Sequence, residues 1–139
     1  MKKKMRTTTP AISRLLTLAL AAATSLTVLS GTASAADIDA PYARAAAKVS
    51  SDAKLLGTKN VQSVTRGSAA ATYCVKVASR AVSNLSTAAI VATLNNFRGE
   101  ITAIGAPHSY CGNAAHTITV VTSDSSGKGA DRPFTVAVL

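Results

Sequence analysis

The sequence predicts an all-β fold, an antiparallel sandwich or barrel held by one disulfide. Three observations carry this. From residue 60 onward, short stretches rich in Val, Ile and Thr recur at even spacing, parted by clusters of Gly, Asn, Ser and Pro. Two of them, TYCVKVA (72–78) and PFTVAVL (133–139), alternate in the two-residue period of a strand with one buried face. The chain also holds only two cysteines, Cys74 and Cys111, which suits a small domain that needs a covalent brace.

The first element is not part of that fold. Lys2, Lys3, Lys4, Arg6 and Arg14 precede an apolar run of fifteen residues, Leu15–Leu29, and Ala33-Ser34-Ala35 then offers small residues to a signal peptidase. This is the pattern of a secretory signal peptide over 1–35, cleaved between Ala35 and Ala36. Fifteen residues interrupted by Thr and Ser fall short of the roughly 20 that span a bilayer. A secreted, extracellular protein is expected, with no membrane attachment after processing. Residues 36–42, ADIDAPY, read as a flexible leader, and 43–139 as a single domain.

Processing changes the charge. The whole chain is +9, but the segment from Ala36 keeps ten basic and six acidic residues, a net +4. Scattered singly, that is ordinary for a soluble domain. Nucleic-acid binding needs clustered bases with interleaved aromatics, and Tyr42, Tyr73, Phe97, Tyr110 and Phe134 lie among none, so no nucleic-acid partner is expected.

The remaining elements follow in order. ARAAAKVSSDAKLL (43–56) admits a helix on its alanine content. The turn character of SSDAK favours strand, turn and strand. NVQSVTR (60–66) is a strand ending at the turn GSAAA. In TYCVKVA, Tyr73, Val75 and Val77 share one face, and Cys74 and Lys76 the other. SRAVSNLSTAA (79–89) has room for a helical turn. AAIVATL (88–94) is a nearly continuous apolar run, as in a strand buried on both faces. NNFRG (95–99) is a turn, EITAI (100–104) a short strand, and GAPHSYCGNAA (105–115) a loop. HTITVVTSD (116–124) is a strand and SSGKGAD (125–131) a turn. PFTVAVL closes the chain with Phe134, Val136 and Val138 on one face.

The stretch HSYCGNAAH (108–116) holds both histidines and one of the cysteines. A nucleophile would need a free thiolate at Cys111 or Cys74, with His108 or His116 as base and Asp124 as orienter. A metal site would use His108, Cys111 and His116, but this spacing matches no standard zinc pattern and lacks a fourth ligand. Outside the cytoplasm two cysteines normally pair, and closing a loop of about 37 residues contributes about 4 kcal/mol in the chain-entropy model. The expectation is therefore a Cys74–Cys111 disulfide, a tied loop, and exposed histidines on either side of it. No metal and no cofactor is expected. DSSGKGAD (124–131) has Asp124 but not the acidic run of a calcium loop. Glu100 is the only glutamate, so paired-carboxylate chemistry lacks a partner in sequence. The sequon Asn84-Leu85-Ser86 is expected to stay unmodified behind a bacterial-type signal.

The strings SVTRGSAAATYCVKV, AAIVATLNNFRGEITAI and CGNAAHTITVVTSDSSGKGADRPFTVAVL resemble a group of small secreted actinobacterial proteins. They are similar, more loosely, to the C-terminal β-domains of tail-fibre-like and collagen-like bacterial surface proteins. The resemblance spans 46–139, its closing segment being the most specific part. It implies a compact all-β domain, a jelly-roll-like antiparallel sandwich able to trimerise in the fibre-linked forms, and no known activity.

The sequence thus points to a secreted, non-catalytic binding or structural module. Its partner would be an extracellular protein, a glycan, or further copies of itself, a trimer included. Phe97 and Arg98 in one loop and His108 and Tyr110 in another are the candidate contact residues. A secreted protease inhibitor, with the Cys111-braced loop as its bait, is the alternative, and a Cys–His enzyme a more distant one.

Overall fold

A computed structural model describes residues 35–105 and 107–139; the signal peptide expected over 1–35 lies outside them but for Ala35. The described chain forms nine strands: β1 (Ala36–Asp37), β2 (Ala45–Val49), β3 (Leu55–Lys59), β4 (Val61–Arg66), β5 (Thr72–Val77), β6 (Ile90–Leu94), β7 (Glu100–Ile104), β8 (Thr117–Ser123) and β9 (Phe134–Val138). One 3-10 turn, Ser109–Cys111, interrupts the loop between β7 and β8. The fold is all-β. Strand–turn–strand wins over helix in 43–56, and β2 shows why. Alanine is a poor strand former, but β2 is a central strand between β3 and β9 whose Ala45, Ala46 and Ala47 are all buried, and burial in the sheet outweighs the local preference.

The strands make two sheets, in the orders β1-β3-β2-β9-β6 and β4-β5-β8-β7. Every pairing is antiparallel except β1 with β3. Ala45, Ala47 and Val49 of β2 and Phe134, Val136 and Val138 of β9 face Tyr73, Val75 and Val77 of β5 and Ile118 and Val120 of β8. This is the alternation read from TYCVKVA and PFTVAVL. Val82 and Leu85 complete the core from the connection that carries the chain from β5 to β6. The helical turn foreseen there is a single one, with Val82 N–H donating to the Ala78 carbonyl.

Two expectations are corrected. Residues 36–42 are not a free leader: β1 pairs with β3, Ile38 N–H donates to the Thr58 carbonyl, and Lys59 Nζ donates to the carbonyls of Ala40 and Pro41. β6 is not buried on both faces either. It is an edge strand, with Val91 51% exposed. An apolar run reports side-chain chemistry, whereas edge or centre is decided by which distant strand pairs alongside.

Candidate functional site

The register of the four-stranded sheet places its two faces. Tyr73, Val75 and Val77 point into the core, so Thr72, Cys74 and Lys76 point outward. Across the outer face, Cys74 lies between Thr65 of β4 and Thr119 of β8, and Lys76 between Ser63 and Thr117. A short hairpin could join β7 to β8. The chain instead returns across this outer face, and Cys111 bonds to Cys74. The disulfide predicted from sequence is present, with Cα atoms 5.6 Å apart. Its role differs from a brace between sheets: it bolts a surface strap, 107–116, to the outside of one sheet. Beneath the strap, Thr72 and Thr119 are fully buried.

Local chemistry shapes the strap. Gly105 admits no side chain, since a Cβ there would lie 2.2 Å from the Leu85 carbonyl oxygen. His108 opens the 3-10 turn. Its Nδ1 accepts from Tyr110 N–H at 3.3 Å, and its carbonyl accepts from the N–H groups of Cys111 and Asn113. Gly112 ends the turn in the left-handed region. The Tyr110 carbonyl accepts from Ser68 N–H at 2.8 Å, which fastens the strap to the β4–β5 turn. His108 and Tyr110 rings meet edge to face, 4.7 Å apart. His116 ends the strap at a φ of 57°, and its carbonyl accepts from Val77 N–H. Both histidines are half-buried rather than exposed.

Between the strap and β4 runs an open groove of about 440 Å³. Ser63, Thr65 and Arg66 line one wall, Lys76 and Thr117 the floor, and Tyr110, Cys111 and Gly112 the other wall. Tyr110 remains 42% exposed. The Arg66 side chain lies on the Tyr73 side of the sheet, away from the outer face. It pairs with Asp131, donates to the Ser51 carbonyl, and lies 4.5 Å from the centre of the Tyr73 ring. The bond to Asp131 raises its pKa further above the ordinary guanidinium value. Lys76 is exposed and makes no ion pair among the described residues.

The candidate contact residues do not form one surface. Phe97 and Arg98 precede β7, while His108 and Tyr110 follow it. The five residues of β7 separate the pairs by about 17 Å. Phe97 is half-exposed with the Arg132 guanidinium 4.7 Å from its ring centre. Asp124 does not orient a histidine. Its carboxylate accepts from Ser126 Oγ, Ser126 N–H and Lys128 N–H, and the Ser126 bonds hold it below the usual carboxylate range. The loop at 124–131 is therefore a self-capped turn. Both sulfurs being joined, a Cys–His nucleophile has no thiolate to use and a His–Cys–His metal site has no sulfur ligand. No group of three metal-ligating side chains occurs among the described residues, and none of their helices is long and apolar enough to cross a membrane.

The groove residues Ser63, Thr65, Lys76 and Thr117 were not singled out from sequence, yet a signal existed. TYCVKV puts Cys74 and Lys76 on the same outward face, so a loop tied to Cys74 must lie beside Lys76. Fold and site together define a disulfide-strapped β-sandwich with a polar groove on its outer face. No family model, curated protein sequence or solved structure matches the chain.

Proposed function

We propose that this is a secreted, non-catalytic binding domain of the kind its resemblance to small secreted actinobacterial proteins implies, and that the groove beside the strap takes an extracellular glycan. The observation that carries this reading is the company Tyr110 keeps. A half-exposed ring lies on a strap fixed by the disulfide, beside the hydroxyls of Ser63 and Thr65 and one uncommitted ammonium group. A sugar ring offers C–H groups to an aromatic face and hydroxyls to polar neighbours, so Tyr110 with Ser63, Thr65 and Lys76 meets both demands. A bolted strap loses little order on binding. The protease-inhibitor reading has less support. Its bait loop would need to protrude in extended form, whereas Ser109–Cys111 coils into a 3-10 turn with the Tyr110 carbonyl already engaged.

The test is affinity electrophoresis of the domain 36–139 against a panel of soluble cell-wall and plant polysaccharides. Retardation by at least one polymer is expected, weakened about tenfold by Tyr110→Ala, equivalent to about 1.4 kcal/mol. No retardation by any polymer, or retardation indifferent to Tyr110→Ala, would sink the reading. Secretion is tested separately by intact mass of protein from the medium, which is expected to begin at Ala36.

A further inference from the structure

We infer that the open edge of β6 is a twofold interface at which two copies of this chain pair strand to strand. Among the described residues the two sheets have four edges, and three carry a device that discourages pairing. The β3 edge is covered by the two residues of β1. β4 ends in Arg66, and its ladder slips between Val61 and Ser63. β7 begins with Glu100 and runs directly into the strap. β6, Ile90-Val91-Ala92-Thr93-Leu94, has no charge, no proline, no glycine and an unbroken register.

The ladder also shows what that edge presents. Leu139 N–H donates to the Ala89 carbonyl and Asn95 N–H to the Pro133 carbonyl. Bonded pairs alternate in an antiparallel ladder, so Val91 and Thr93 face β9. Ile90, Ala92 and Leu94 therefore turn their N–H and C=O groups to the open side. Those three residues are the ones a twofold axis through Ala92 would bring together. Ile90 would stand opposite Leu94 of the second copy, Ala92 opposite Ala92, and all six N–H groups would find carbonyls. The side chains match as well. Ile90, Ala92 and Leu94 lean toward the core, so an aliphatic residue meets an aliphatic one and alanine meets alanine. On the outer face Val91 would meet Thr93. No charge lies within the strand, so a second copy meets no like-charge repulsion there. A twofold axis is isologous and closes after two chains, which separates this assembly from the trimer of the fibre-like proteins.

Light scattering on the eluting peak of domain 36–139, over a dilution series, tests this. The expected mass is that of two chains, falling twofold to one chain in both Ala92→Pro and Thr93→Lys. The proline removes only an N–H that faces the open edge, and the lysine points outward, so both variants are expected to keep the wild-type far-UV spectrum. Should Ala92→Pro unfold, Thr93→Lys decides alone. A mass of one chain or three chains at every concentration overturns the proposal, as does a two-chain mass unmoved by Thr93→Lys. Neither substitution lies near the Tyr110 groove, so loss of pairing with glycan retention intact separates this interface from the binding reading.

Discussion

Tyr73 does more than fill the core. Its ring is fully buried against Phe134, edge to face at 5.0 Å, and its hydroxyl donates to the Ser51 carbonyl at 3.0 Å. Burial holds its pKa above the ordinary tyrosine value. Tyr73→Phe keeps the packing and removes one hydrogen bond, so a loss of about 1 kcal/mol in urea unfolding is expected. No loss at all would mean that the Arg66 guanidinium, which donates to the same carbonyl, already satisfies it. One turn away, Asp52 bonds to Lys54 and accepts from Ser50 Oγ, and these bonds, Lys54 first, lower its pKa from 3.8 to about 2. The folded value lies below the unfolded one, so whatever Asp52 contributes is present above pH 3.8 and is lost as pH falls through about 2. Carboxyl NMR titration should find Asp52 ionising well below the ordinary aspartate value of 3.8, and Asp52→Asn should shrink the acid dependence of stability in that window. The fully exposed setting makes this a small effect that salt screens. At this scale the sequence was readable wherever a residue answers to its immediate neighbours. Tyr73, Val75, Val77, Phe134, Val136 and Val138 follow from alternation alone. Arg66 with Asp131 does not, because 65 positions separate them and only the assembled sheets bring them together.

The strap is the element on which stability and site both depend. In the chain-entropy model its disulfide acts on the unfolded chain by closing a 37-residue loop, and removing it costs about 4 kcal/mol. Cys74→Ala with Cys111→Ala should lower the urea midpoint accordingly. A loss below about 1 kcal/mol would mean that the unfolded chain is already about as restricted without the bridge as with it. Gly105→Ala attacks the same element from its hinge. The new methyl meets the Leu85 carbonyl at 2.2 Å and the Ile90 Cδ1 at 2.6 Å, so the strap or the β5–β6 connection must shift. A loss in the overpacking range, about 1–3 kcal/mol, is expected in the same urea assay. The strands themselves were legible, since Val, Ile and Thr runs between turn residues mark β4 to β9 within two residues of their ends. The position of β6 was not. Its apolar run is equally consistent with a central strand, and the ladder order that makes it an edge is fixed by β9 arriving from 40 residues downstream.

Across the whole molecule, the sandwich and the strap are separable layers of order, and reduction of the disulfide without denaturant is the experiment that parts them. The core lies between the sheets and takes nothing from the bridge, which sits on an outer face. A domain of this size has about 5–15 kcal/mol of stability, and losing about 4 of it leaves the folded state populated at all but the lowest of those values. Alkylation after mild reduction should therefore add two labels per chain while the β2, β5, β8 and β9 amides stay protected from hydrogen exchange. Protection should fall in 107–116, and at Ser68, whose N–H is bonded to the strap. The groove wall formed by Tyr110 and Gly112 would move with it, so polysaccharide retention should drop in the reduced protein although the fold survives. Global loss of protection would show instead that the strap belongs to the same cooperative unit as the core. Unchanged protection throughout would show that non-covalent contacts alone hold it, and the groove should then keep its ligand without the bridge.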